Sequence, residues 1–162
     1  MKIGILSDSH DRLPLIEQAV ERFNAEGVEL VFHAGDFVSP FTAIPLAKLD
    51  GEFVGVFGNN DGDRIYLTKR FETIGPIHLG YHTFEIDGVR GVLMHEPKSI
   101  DALVASGHYD LVVYGHTHQV DLREGPCVVV NPGEACGYLS GRATVVVLDT
   151  ATMKPERIDL RI

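Results

Sequence analysis

The chain has no tryptophan and only two cysteines, Cys127 and Cys136. Two thiols do not make a disulfide framework, so a reduced, cytoplasmic setting is the default expectation. Basic residues are also scarce: 14 Lys and Arg stand against 23 Asp and Glu, for a net charge of −9. Binding to a phosphate backbone depends on clustered Lys and Arg. No such cluster occurs, so strong nucleic-acid binding is not expected, and there is no basic stripe for an anionic membrane. No apolar run approaches the length of about 18 residues needed to span a bilayer. The opening Met1-Lys2-Ile3-Gly4-Ile5-Leu6 is soon interrupted by Asp8, His10 and Asp11, and does not read as a signal peptide. Internal repeats and linker-like shifts in composition are lacking too, so residues 1–162 are expected to form one domain.

Apolar residues make up 44% of the chain, enough for a substantial core, and they come in short runs. Ile3–Ser7, Leu30–His33, Phe53–Phe57, Gly91–Met94 and Leu111–Tyr114 are mostly continuous, as expected of strands covered on both faces. Between them, Pro14 suits a first helical turn, and Ile16, Ala19, Val20 and Phe23 follow helical spacing. Ser39-Pro40 reads as an N-cap opening a helix to about Leu49. Arg64–Phe71 and Ser99–Ser106 are further helices. The last third turns antiparallel. Asp87-Gly88 joins Tyr81–Ile86 to Val89–Leu93 as a two-residue hairpin. Val120–Arg123 with Cys127–Asn131, and Arg142–Leu148 with Glu156–Ile162, are further hairpins. The fold class is therefore α/β with mixed sheets, and about ten strands favour two packed sheets over one.

The chemistry lies at the strand ends. Five successive buried strands run into Asp8 and His10, Asp36, Asn59, His95, and His116 with His118. Ligands in open α/β sheets bind beyond the carboxyl ends of strands, so neighbouring strands would bring these groups to one edge. The members of each pair Asp8/His10 and His116/His118 stand two apart, which on an extended chain points them the same way. Carboxylate, amide and imidazole donors without thiolate suit Mn, Fe, Ni or Zn, not a structural cysteine site. Seven candidates are too many for one ion. Two ions about 3.5–4 Å apart, sharing a bridging carboxylate, would use them, and Asp36 is the natural bridge. The glycines before Asp36, Asn59 and His116 allow sharp turns and close approach. The remaining histidines His33, His78, His82 and His108 are read as packed or solvated, Asp50 and Asp87 as turn residues, and Asp11 and Asp61 as caps or as groups that orient ligands.

Asp8-x-His10, Gly35-Asp36, Gly58-Asn59-x-Asp61, His95 and Gly115-His116-x-His118 together resemble the calcineurin-like metallophosphoesterases, and within them the small archaeal and bacterial phosphodiesterases. The resemblance implies a four-layer α/β/β/α sandwich of two mixed β-sheets flanked by helices. It implies that Asp8, His10, Asp36 and His118 hold one divalent ion and that Asp36, Asn59, His95 and His116 hold the other, with Mn leading and Ni, Fe or Zn as alternatives. Asn59, His95 and Asp36 are the expected catalytic residues. The implied activity is hydrolysis of small phosphodiesters by in-line attack of a metal-bridging hydroxide. The alternative is a protein-interaction scaffold like the retromer subunit Vps29, with a vestigial metal site. A homodimer or homotetramer is expected from small relatives and from the alternating charged and apolar residues of Arg157–Ile162.

Three positions depart from the family pattern. Asn60 stands where many relatives have a histidine proposed to protonate the leaving group. An amide cannot do this, so activated esters are the expected substrates. Glu134 follows Asn131-Pro132-Gly133 where Ser is common, and Glu96 follows His95 where Gly is common. Carboxylates there would repel an anionic substrate or recruit a further cation.

Overall fold

The computed structural model describes residues 1–162. In chain order the elements are β1 (Lys2–Leu6), α1 (Leu13–Ala25), β2 (Leu30–His33), α2 (Ala43–Leu46), β3 (Glu52–Val56), α3 (Arg64–Phe71), β4 (Ile77–His78), β5 (Tyr81–Ile86), β6 (Val89–Met94), α4 (Ile100–Ala105), β7 (Leu111–Val113), β8 (Val120–Arg123), β9 (Val128–Pro132), β10 (Ala143–Asp149) and β11 (Lys154–Leu160). They build two mixed sheets, a six-stranded one ordered β11-β10-β1-β2-β3-β4 and a five-stranded one ordered β5-β6-β7-β9-β8. β1 to β4 pair in parallel, as do β6, β7 and β9, while the hairpin strands β10–β11, β5 and β8 join antiparallel.

Three apolar clusters separate four layers. Ile16, Val20 and Phe23 of α1 and Leu67 and Phe71 of α3 pack with Val31, Phe53 and Val145 on the outer face of the larger sheet. Ile5, Phe32, Val56 and Val146 meet Leu93, Val113 and Val130 between the two sheets. The third cluster lies under α4 and is smaller, with seven buried residues against 17 under α1 to α3. A six-residue helix therefore covers only part of the smaller sheet's outer face.

Local rules account for most boundaries. Pro14 sits in the first turn of α1, where a missing N–H costs nothing. Asp63 caps α3 by accepting from the Tyr66 amide. Asp87 and Gly88 both have positive φ, the conformation a type I′ hairpin requires. The stretch from Pro40 differs from its expected single helix. Ser39 does cap it, but Pro40–Thr42 forms a 3₁₀ turn that runs into the one-turn α2 and ends there. Pro45 inside that turn removes an amide donor. β11 is an edge strand, as its alternation suggested. No helix is long and apolar enough to cross a membrane.

Candidate metal centre

Seven side chains come together where the two sheets' strand ends meet. The loop after β1 carries Asp8 and His10, the loop after β2 carries Asp36, and the loop after β3 carries Asn59. His95 directly follows β6, and His116 and His118 lie beyond β7. Asp8, His10, Asp36 and His118 place their donor atoms within 4.8 Å of one another. His118 Nε2 lies 3.3 Å from Asp8 Oδ1, and His10 Nε2 3.5 Å from Asp36 Oδ2. On the other side of Asp36, His95 Nε2 is 3.5 Å from Oδ1, and Asn59 Oδ1 is 2.9 Å from both His95 Nε2 and His116 Nδ1. Asp36 thus touches both groups, one with each oxygen.

The backbone, however, is not the extended chain that spacing implied. Asp8, His10, Asp36, His116 and His118 all have positive φ, between 40° and 70°. Such left-handed residues are uncommon outside glycine and gather at functional sites, held there by surrounding contacts. The Asp8 and Ser9 amides donate to the Gly35 and Asp36 carbonyls, and the His116 amide donates to Asp8 Oδ2. Two glycines are required by space. Gly35 has φ of 94°, and a Cβ there would sit 2.6 Å from His95 Nδ1. A Cβ on Gly58 would run into the Asp36 carboxylate. The glycines admit the ligand side chains themselves.

Protons show what the cluster suits. His95 Nδ1 lies 2.7 Å from the Ala34 carbonyl, which can only accept, so Nδ1 carries the hydrogen. A neutral His95 then turns a bare Nε2 lone pair toward the oxygens of Asn59 and Asp36. His118 Nδ1 lies 2.8 Å from Glu134 Oε2, so in the neutral imidazole the hydrogen sits on Nδ1 and the Nε2 lone pair faces Asp8. Asp8 Oδ1 and His10 Nε2 are buried without any hydrogen-bond partner, and no other buried side-chain N or O atom in the chain is so placed. Burial pushes the Asp8 carboxyl pKa up, against the opposing pull of Ser7, His95 and His118. Lone pairs facing one another around a buried carboxylate are what divalent cations would satisfy, so the residues present fit such ions.

Sequence reasoning misjudged the supporting residues most. Glu134 is fully buried and does not face a substrate. It accepts from His118 Nδ1, the Cys136 thiol, the Ser140 hydroxyl and the amides of Tyr138, Leu139 and Ser140. Burial works against its charge, but bonds from Ser140, His118 and Cys136 win and hold its carboxyl down at about 2. Glu96, for its part, pairs with Lys98 at 2.8 Å and is not a bare carboxylate. Asn60 donates from its backbone and from Nδ2 to the two Asp36 oxygens. Asp61 receives the amides of Asp36, Val38 and Gly58 and so ties two ligand loops together, while Asp11 receives the Ser39 amide and hydroxyl. Asn131, read only as part of a motif, is buried and bonds the Gly115 carbonyl and the Thr117 hydroxyl, bracing the His116 loop. His33 is buried against Phe37, 3.7 Å between ring centres, and desolvation keeps it neutral.

The model of the calcineurin-like phosphoesterase superfamily domain matches residues 1–153. The chain belongs to that superfamily. The phosphodiesterase MJ0936 of Methanocaldococcus jannaschii is 42% identical over 155 residues, covering 93% of each protein. A solved structure described as a novel archaeal phosphodiesterase superposes with a TM-score of 0.93 at 41% identity, over 99% of this chain and 100% of that one. Vps29 from Entamoeba histolytica superposes with a TM-score of 0.71 at 19% identity, over 99% and 100%, a likeness of fold alone. The superfamily's two-sheet architecture is the one found here.

Proposed function

We propose that this superfamily member is a phosphodiesterase that works with two divalent cations, Mn leading, on small phosphodiesters. One observation carries the reading: Asp8 Oδ1 and His10 Nε2 are buried without a hydrogen-bond partner, in a cluster of donor atoms gathered around Asp36. Asp8, His10, Asp36 and His118 would hold one ion, and Asp36, Asn59, His95 and His116 the other. Bound there, the cations would lower the pKa of water and stabilise charge on the phosphoryl oxygens.

The chain's own part is to fix the ligands and keep their lone pairs free. The Ala34 carbonyl fixes the His95 tautomer, Glu134 fixes that of His118, and Asn60 holds Asp36 through both oxygens. Asn59 turns Oδ1 to the imidazoles, which leaves its Nδ2 hydrogens for a phosphoryl oxygen. The Asn60 amide cannot protonate a leaving group, so esters with stable leaving anions are preferred.

The test uses protein stripped of metal and reloaded with Mn²⁺, with bis(p-nitrophenyl) phosphate as substrate and His116→Ala in parallel. Metal-dependent turnover in the wild type, lost in the variant along with one of two bound ions, is the expected result. Two ions bound with no turnover would overturn the enzymatic reading in favour of a Vps29-like scaffold.

A further inference from the structure

Between α4 and the β5 edge, where the short helix leaves the smaller sheet uncovered, a groove of about 770 Å³ opens. One end reaches the candidate metal centre, because Asn59 and His95 line it. Its floor is Val92 and Met94, on the outer face of β6. Leu103 and Tyr109 wall the α4 side. Tyr81 pairs opposite Met94 across the β5–β6 ladder and stands 70% exposed over the same face. The far side is Phe57, with Arg64 stacked on its ring at 5.3 Å. The Arg64 guanidinium is pinned there by donating to the Asp61 and Gly58 carbonyls through Nε and Nη2. The Lys98–Glu96 ion pair closes the rim.

A phosphate held at the metal centre needs none of this apolar wall. Pockets of about 300–1,000 Å³ with aromatic lining and a few polar groups bind drug-sized organic molecules. The aromatic rings favour a flat partner, since stacking on an aromatic side chain is worth much to any base. Arg64, Lys98 and Glu96 supply donors and an acceptor for a heterocycle's edge, which an alkyl chain could not use.

We propose that this groove takes the nucleobase of a nucleotide ester whose phosphate lies at Asn59 and His95. The proposal rests on the phosphodiesterase reading and names its substrate class. Tyr81 and Tyr109 supply stacking surface, and Arg64, held on the buried Phe57 ring, and Lys98 offset the chain's acidity at the groove.

Calorimetric titration of Mn²⁺-loaded protein with adenosine 5′-monophosphate, methyl phosphate and hexyl phosphate tests it, with Tyr81→Ala and Tyr81→Phe alongside. The nucleotide should bind at least about tenfold tighter than methyl phosphate. Tyr81→Ala should lose most of that margin, leave methyl phosphate unchanged and keep the wild-type circular dichroism, and Tyr81→Phe should retain the margin. Equal affinity for all three ligands, or tighter binding of hexyl phosphate, overturns the nucleobase assignment, as does an unaffected Tyr81→Ala. Turnover of methyl p-nitrophenyl phosphate, followed separately, reports on the phosphodiesterase reading itself. Selective nucleotide binding without turnover would sink that reading and leave the groove standing, and turnover without selectivity would do the reverse.

Discussion

Replacing Glu134 with glutamine removes one charge and almost no volume. The carboxylate accepts through both oxygens: Oε1 takes the Leu139 and Ser140 amides and the Ser140 hydroxyl, and Oε2 takes His118 Nδ1, the Cys136 thiol and the Tyr138 amide. A glutamine keeps one acceptor oxygen. Its amide nitrogen must face either the Ser140 donors or those of His118 and Tyr138. Facing His118, it would favour the other tautomer and place a hydrogen on Nε2, the atom turned toward Asp8. At least one buried donor then stays unsatisfied, at a cost of about 1–3 kcal/mol. Loss of the group that orients a metal-binding histidine weakens affinity by about 10–100-fold. Glu134→Gln should therefore unfold at lower urea and bind Mn²⁺ correspondingly more weakly in calorimetric titration of stripped protein. The effect on stability also has a pH signature. The folded carboxyl sits at about 2, below its ordinary 4.5, so its charge stabilises the fold above pH 4.5 and that support fades as pH falls toward 2. The gap between wild type and variant should narrow over that window in metal-free protein. Wild-type Mn²⁺ affinity in Glu134→Gln, with unchanged stability at pH 7, would refute the role assigned to this carboxylate.

Three further expectations follow from separate parts of the site and core. Asn60→His should raise turnover of diesters with poor leaving groups by about 10²–10⁴-fold if the missing acid is the limitation. No gain with both ions still bound would place the limit elsewhere. Gly58→Ala drives a methyl group into the Asp36 carboxylate, so overpacking should cost about 1–3 kcal/mol in urea unfolding and impair metal uptake; a fully stable, metal-competent variant would contradict the close approach. Phe37 is fully buried against His33, Phe53 and Phe71, and Phe37→Ala should destabilise by about 3–5 kcal/mol, measured by chemical denaturation.

The parts of the fold that local chemistry dictates were legible in the sequence. Arg64–Phe71 forms α3 as read, because Asp63 caps it, and Asp87-Gly88 makes its hairpin because both residues take positive φ. The strand-end residues do meet, but not on the edge of one sheet: β1, β2 and β3 end beside β6 and β7 of the other sheet, and two stacked sheets supply the site together. Their local geometry was not legible. The two-residue spacing of Asp8 and His10 suggested an extended chain, whereas left-handed turns held by the β2 loop aim them. β4 is two residues long, too short to show any alternation. Glu134 was misjudged because its partners come from a loop that curls back on it. Gly137 and Gly141, both at positive φ, were the available signal: they let the 138–140 amides converge on one anion. Glu96 was read as repelling substrate or recruiting a cation; a tight turn, closed by the Lys98 amide on the Glu96 carbonyl, brings the Lys98 ammonium to it instead.

The candidate ligands are divided between the sheets. Asp8, His10, Asp36 and Asn59 extend from the larger sheet, and His95, His116 and His118 from the smaller. Cross-sheet pairs such as His118–Asp8 and His95–Asp36 span an interface that is otherwise a greased plane of apolar side chains. Ions held by this set would act as a rivet through two stacked plates, blocking the sliding that apolar contact alone permits. Demetallation would then loosen both plates at once, and slow amide exchange at the ends of β1 and of β7 would speed up together.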